Sequence, residues 1–254
     1  MKKVLMIGCS FFNRERYWSW LEPVEKKLEL EIDLISHSGF GNKRILHSLL
    51  DKLSQHTYDY IIISFSGFDR DEIAIPQSKL EWFTTNNIQK DIDGVFWYSS
   101  GGYGGNYTEE NDRNLFKNRY RYSYRFKDRV KVNAAYIISA QSILQSMQIP
   151  YTFCFYSNQL ENFNFLTGCQ LENLSERQYI SFKKLKSQIT CLDLIDFEKF
   201  WLYDNRYSKY CGIEEYVTDL GFIDPEDNHH PLPEGTKKLF LNELLPKILQ
   251  SKII

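Results

Sequence analysis

Val4-Leu5-Met6-Ile7-Gly8-Cys9-Ser10-Phe11 is a short continuous apolar run closed by a glycine, a cysteine and a serine. A run of that length with no polar alternation predicts a strand covered on both faces, as in a parallel sheet flanked by helices. The stretch that follows supports it. Trp20, Leu21, Val24 and Leu28 fall at helical spacing within Arg16 to Leu28, Leu30 to Ile35 alternates like a second strand, and Ile45, Leu49, Leu50 and Leu53 share a face of a helix over Asn42 to Leu53. A third strand over Tyr60 to Phe65 carries Ile61, Ile62 and Ile63 in succession. Strand, helix, strand, helix, strand implies right-handed crossovers and a parallel sheet.

The rhythm breaks over residues 76 to 127, which hold the glycine-rich Gly101-Gly102-Tyr103-Gly104-Gly105-Asn106-Tyr107 and the alternating basic and aromatic Arg119-Tyr120-Arg121-Tyr122-Ser123-Tyr124-Arg125-Phe126. It resumes with a helix over Val130 to Met147, a strand over Tyr151 to Tyr156 entered through Pro150, a last strand over Ile189 to Leu194, and a terminal helix over Pro231 to Leu249. The sequence shows no repeat and no linker. The expectation is one domain over 1–254 with an insertion at about 76–127.

Composition narrows the function. A net charge of −2 gives no reason to expect nucleic acid as the main partner. No apolar run reaches the length of a membrane span, and the N-terminal run is too short and lacks the cleavage pattern of a secretion signal. Five cysteines, an odd number without pairing or metal-ligand spacing, predict reduced thiols and a cytoplasmic protein. No metal, no cofactor and no membrane partner are expected. Oligomeric state is not legible.

Two segments carry chemistry. Ser10 follows the first strand, where open parallel sheets bind ligands and where a helical turn offers backbone N–H groups. Its ordinary reading is a helix cap. Asp227-Asn228-His229-His230-Pro231 precedes the last helix, and an acid three residues before a histidine can fix its tautomer and leave the other ring nitrogen to take a serine proton. The ordinary reading there is a solvated turn. Cys9 is a rival nucleophile and His229 a rival base.

Together these segments resemble the first and last blocks of the SGNH (GDSL-type) hydrolases. Gly8-Cys9-Ser10-Phe11 stands where that family often has Gly-Asp-Ser-Phe, and Asp227 to Pro231 stands at its closing Asp-x-x-His-Pro. Ser38-Gly39-Phe40-Gly41-Asn42 looks like the block whose glycine serves the oxyanion hole, and Ser66-Gly67-Phe68-Asp69-Arg70 sits where the family has Gly-x-Asn-Asp. The likeness is greatest to divergent SGNH-like proteins of phage genomes and polysaccharide loci. The resemblance implies a three-layer α/β/α sandwich around a parallel sheet of about five strands, flavodoxin-like in order. It implies Ser10, His230 and Asp227 as catalytic triad, with Ser10, Gly39 and Asn42 serving the oxyanion hole and Asp69 and Arg70 facing substrate; in the insertion, which the resemblance does not cover, Tyr103 and Tyr107 are candidates to stack on sugar rings of a substrate. The third block departs from the family: Asp69 replaces its asparagine, and an ionised carboxylate donates no hydrogen bond to an oxyanion. Either Asp69 points away, held by Arg70, or Arg70 itself or Asn42 supplies the missing donor. The implied activity is a serine esterase removing an O-acyl or acetyl group from a carbohydrate or similar small ester. The alternatives are an O-acyl transferase on the same machinery and a non-catalytic binding protein on the same fold.

Overall fold

The computed structural model describes residues 1–36, 39–68, 70–75, 77, 88–90, 96–100, 126–159, 190–204, 210–224, 226 and 230–251. Its central sheet is parallel, built from β1 (Lys2–Gly8), β2 (Leu30–Ser36), β3 (Tyr60–Phe65) and, after three further strands, β7 (Tyr151–Phe155), in spatial order β2-β1-β3-β7. Phe200 extends the sheet beside β7 through a parallel bridge to Phe153, with Trp201 N–H donating to the Phe153 carbonyl at 2.7 Å. The resulting order has the 2-1-3-4-5 pattern of flavodoxin-like folds.

β3 is buried along its whole length, and Val4 to Ile7 of β1 have no exposure, as the unbroken apolar runs require of central strands. One face is covered by α3 (Asn42–Gln55) packed on α4 (Phe126–Ser146). The other side carries α1 (Arg14–Tyr17), α2 (Leu21–Leu28) and the C-terminal segment, where Trp18 and Trp20 meet Phe240 edge-on and tilted at 6.1 and 5.5 Å. The expected α/β architecture is therefore present, as is its sandwich of helical layers about a parallel sheet.

Three local expectations change. After a 3₁₀ turn (Ser10–Phe12), the helix expected over Arg16 to Leu28 is split into α1 and α2, because Trp18 turns inward and its indole N–H donates to the Phe11 carbonyl at 2.9 Å. The last strand is not Ile189 to Leu194. Thr190–Leu194 forms a 3₁₀ helix with no buried residue, and Phe200 takes the sheet position instead. The terminal helix comprises α6 (Pro233–Leu239), a π-helical turn (Phe240–Leu244) and α7 (Leu245–Gln250). Pro246 has no N–H to give an i→i−4 bond, and Leu245 N–H reaches back to Phe240.

A separate antiparallel sheet overlaps the stretch expected as an insertion. Its strands β4 (Asp71–Ile75), β5 (Ile88–Lys90) and β6 (Phe96–Ser100) run in order β4-β6-β5, so this sheet opens ahead of the expected start at 76. The glycine-rich segment 101–107 and the basic-aromatic segment 119–125 lie outside the described residues.

Candidate active site

Ser10 stands at the C-terminal end of β1, in the middle of the sheet. The chain turns there at once into the 3₁₀ turn, with Phe12 N–H on the Cys9 carbonyl at 2.9 Å and Asn13 N–H on the Ser10 carbonyl at 3.0 Å. Gly8 makes this tight exit possible: a Cβ there would lie 3.0 Å from the Phe12 ring and 3.2 Å from Ser64 Cβ. The first bond of the turn is donated by Phe12, so the N–H groups of Ser10 and Phe11 have no acceptor within it.

His230 is supplied from the other end of the chain. The two-residue strand β9 (His230–Pro231) pairs antiparallel with β8 (Ile223–Asp224), with Asp224 opposite His230, and leads directly into α6. His230 Nε2 lies 2.8 Å from Ser10 Oγ. Ser10 is 6% exposed, so the pair is largely shielded from water yet reachable. This is the geometry of a hydroxyl with an adjacent base: when Nε2 accepts the proton, Oγ becomes a nucleophile.

Aromatic rings enclose the imidazole. Tyr17 stacks on it with planes 6° apart and centroids 5.3 Å apart, and Phe11 lies tilted at 5.0 Å. Phe11 in turn meets Tyr156 at 5.1 Å, and the Arg70 guanidinium sits 5.4 Å from the Tyr156 centroid while Nη1 donates to the Phe40 carbonyl at 3.2 Å. Arg70 thus reaches the site's rim through two rings.

The second and third blocks lie beside this centre. Gly39 has φ of 84°, a left-handed conformation that an L side chain resists, which accounts for glycine there. Asn42, at the start of α3, is 1% exposed. Its Nδ2 donates to the Ser66 carbonyl at 3.1 Å and to Asn133 Oδ1 at 2.7 Å, and its Oδ1 accepts Ser66 N–H at 2.6 Å. Both amide hydrogens are thereby engaged within the protein, and Asn42 holds the loop after β3. Asn133 continues the network, donating to the carbonyls of Phe68 at 3.0 Å and Arg129 at 2.9 Å. Gln159 Oε1 accepts the Phe68 N–H at 3.1 Å.

Cys9 is fully buried and packed in the core, with Cys154 near it. Burial pushes the Cys154 thiol up to about 12. At the far side, the turn that begins α5 (Ile213–Asp219) packs against the end of β7. Glu214 N–H donates to the Tyr156 carbonyl at 2.7 Å, and Glu215 accepts from Asn158 N–H at 2.8 Å and from Gly212 N–H at 2.7 Å.

The structure brings together Ser10 and His230 as the sequence suggests, with Arg70 and Gly39 on adjoining segments. Asp69, Tyr103, Tyr107, Asp227 and His229 lie outside the described residues. Sequence reasoning missed Tyr17, Asn133 and Glu214. Asn133 left one signal, a polar residue beside Val130, Ala134 and Ile137 on the buried face of its helix. Tyr17 left none, since its partner is more than two hundred residues away. Among the described residues no group of three or more histidine, cysteine or acidic side chains is placed to hold a metal, and no helix is long and apolar enough to cross a membrane.

Neither a family profile nor a characterised protein sequence matches the chain. Among solved structures it is similar to the psychrotrophic esterase EstA of Pseudoalteromonas sp., at 11% identity and TM-score 0.47 over 98% of each chain. It is also similar to a catalytic mutant of Axe2, an acetylxylan esterase of Geobacillus stearothermophilus, at 11% identity and TM-score 0.45 over 97% of this chain and 94% of that one.

Proposed function

We propose that this chain is a serine ester hydrolase of the SGNH kind. One observation carries the reading: His230 Nε2 in hydrogen-bond contact with Ser10 Oγ at 2.8 Å, at the carboxyl end of the central strand. Ser10 Oγ attacks an ester carbonyl while His230 takes its proton. The N–H of Ser10, with that of Gly39, receives the developing oxyanion. His230 then protonates the departing alcohol, and water activated by the same imidazole releases the acyl group and restores Ser10. Asp227, three residues before His230, orients the imidazole. Arg70, anchored on Phe40 and Tyr156, lies on the substrate side. The substrate class is an O-acyl or acetyl ester of a carbohydrate or other small alcohol.

The test is hydrolysis of p-nitrophenyl acetate by the wild type, Ser10→Ala and His230→Ala, each checked for folding. Wild-type turnover that drops at least about 10³-fold in both variants is the expected result. Equal turnover in wild type and Ser10→Ala overturns the proposal. Transfer of the acyl group to an added sugar in preference to water moves the assignment to an O-acyl transferase.

A further inference from the structure

We infer that Tyr17 is a positioning residue for His230, an inference that rests on the ester-hydrolase reading. Hydrogen bonds in the plane of an imidazole, such as that between Nε2 and Ser10 Oγ at 2.8 Å, set where its nitrogens sit, while the tilt of the ring is set by what lies against its faces. A base that must pass a proton from Oγ to a leaving oxygen needs its plane held too, because misplacement of a catalytic group by a fraction of an ångström is costly. The face of Tyr17 supplies such a contact, lying within 6° of parallel at 5.3 Å, in the range of offset ring stacking. Phe11, tilted by 39° at 5.0 Å, adds a further wall.

Tyr17 can act in this way because it is itself fixed. It is 5% exposed, and its backbone carbonyl accepts the hydroxyl of Thr236, a fully buried residue on the helix that His230 leads into. The same Thr236 oxygen accepts the Trp20 indole N–H at 3.0 Å. The segment bearing the base is thus tied to the segment after the nucleophile at two points, ring on ring and hydroxyl on carbonyl. The Arg16 guanidinium, 5.5 Å from the Tyr17 centroid, also contacts that ring. The proposed role is therefore orientation of the imidazole and not storage of its charge.

The experiment compares wild type, Tyr17→Leu, Tyr17→Phe and Thr236→Val for p-nitrophenyl acetate kinetics, with the His230 ring protons observed by NMR. Loss of the stack lowers kcat by about 3- to 10-fold in Tyr17→Leu with KM unchanged. The His230 ring protons move downfield as the ring current is lost, and Tyr17→Phe returns both readouts to wild-type values. Thr236→Val, which keeps the ring but frees its anchor, lowers kcat in the same sense. A folded Tyr17→Leu with wild-type kcat overturns the inference, as does a Tyr17→Phe that is as impaired as Tyr17→Leu. Should Tyr17→Leu not fold, an unchanged kcat in Thr236→Val overturns it. A wild type inert toward the ester, and inert toward a fluorophosphonate that labels activated serines, overturns the hydrolase reading beneath it; an active wild type with unaffected variants overturns only the role of Tyr17.

Discussion

Asn42 and Asn133 share an amide-to-amide hydrogen bond of 2.7 Å, closed off from water between α3 and α4 and directly beneath the loop that leaves β3. Each also grips that loop, Asn42 through both backbone groups of Ser66 and Asn133 through the Phe68 carbonyl. Replacing Asn133 by alanine leaves one Asn42 hydrogen and the Phe68 carbonyl without those partners in a dry environment. The expected cost is about 2–3 kcal/mol in urea unfolding, more than a typical single hydrogen bond contributes, because orphaned buried groups retain their desolvation penalty.

Glu214 gives the fold a pH dependence of defined sign. Burial chiefly, and then the neighbouring Glu215 carboxylate, outweigh a hydrogen bond from Ser157 and raise it from its ordinary value of 4.5 to about 7. Between those values the native state keeps a proton that the unfolded chain has released, so rising pH removes stability across that window and no more above it. Glu214→Gln is expected to flatten this slope and to be more stable than wild type at pH 8, by about 1–3 kcal/mol. Denaturation curves at pH 5 and pH 8 measure it; an equal pH slope in both proteins contradicts the prediction.

Gly212 crosses the end of β7 at backbone contact. A Cβ there would lie 2.3 Å from the Phe155 carbonyl oxygen and 2.8 Å from Ser157 nitrogen, neither of which can swing aside like a side chain. Gly212→Ala is expected to cost about 2–3 kcal/mol through forced backbone movement. The drop should show in thermal unfolding, while Gly221→Ala, at a site with open space but φ of 73°, should lose less.

Cys9 precedes Ser10 but has no exposed surface. Cys9→Ala is expected to keep p-nitrophenyl acetate turnover within about tenfold of wild type, through modest cavity loss only, while Ser10→Ala loses it. Native Cys9 should also resist alkylation by iodoacetamide until the protein is unfolded. A Cys9→Ala protein as inactive as Ser10→Ala would instead make the thiol the nucleophile.

How far the sequence could be read depends on whether its forces are local. The run Ile61, Ile62, Ile63 marks a central strand because burial on both faces leaves no room for polar alternation, and the structure places β3 there. Thr190 to Leu194, where Cys191, Leu192 and Leu194 are interrupted by Asp193, also reads as a strand, yet Leu194 is 64% exposed and the segment coils into a 3₁₀ helix. Short apolar runs cannot distinguish these outcomes without knowing which segment wins the sheet edge. Similarly, Ser10 and His230 were visible because a strand end and a pre-helical turn are local patterns. The stack of Tyr17 on His230 and the Asn42–Asn133 bond depend on how distant segments pack, and no local spacing encodes them.

The hydrogen bond between Ser10 and His230 joins positions 220 residues apart. A ribosome therefore delivers the serine long before its partner, and the intervening chain can reach its native pairing only after most of its long-range loops have closed. Nascent chains halted before His230, or chains nicked and stripped of that segment, would hold Ser10 without this partner.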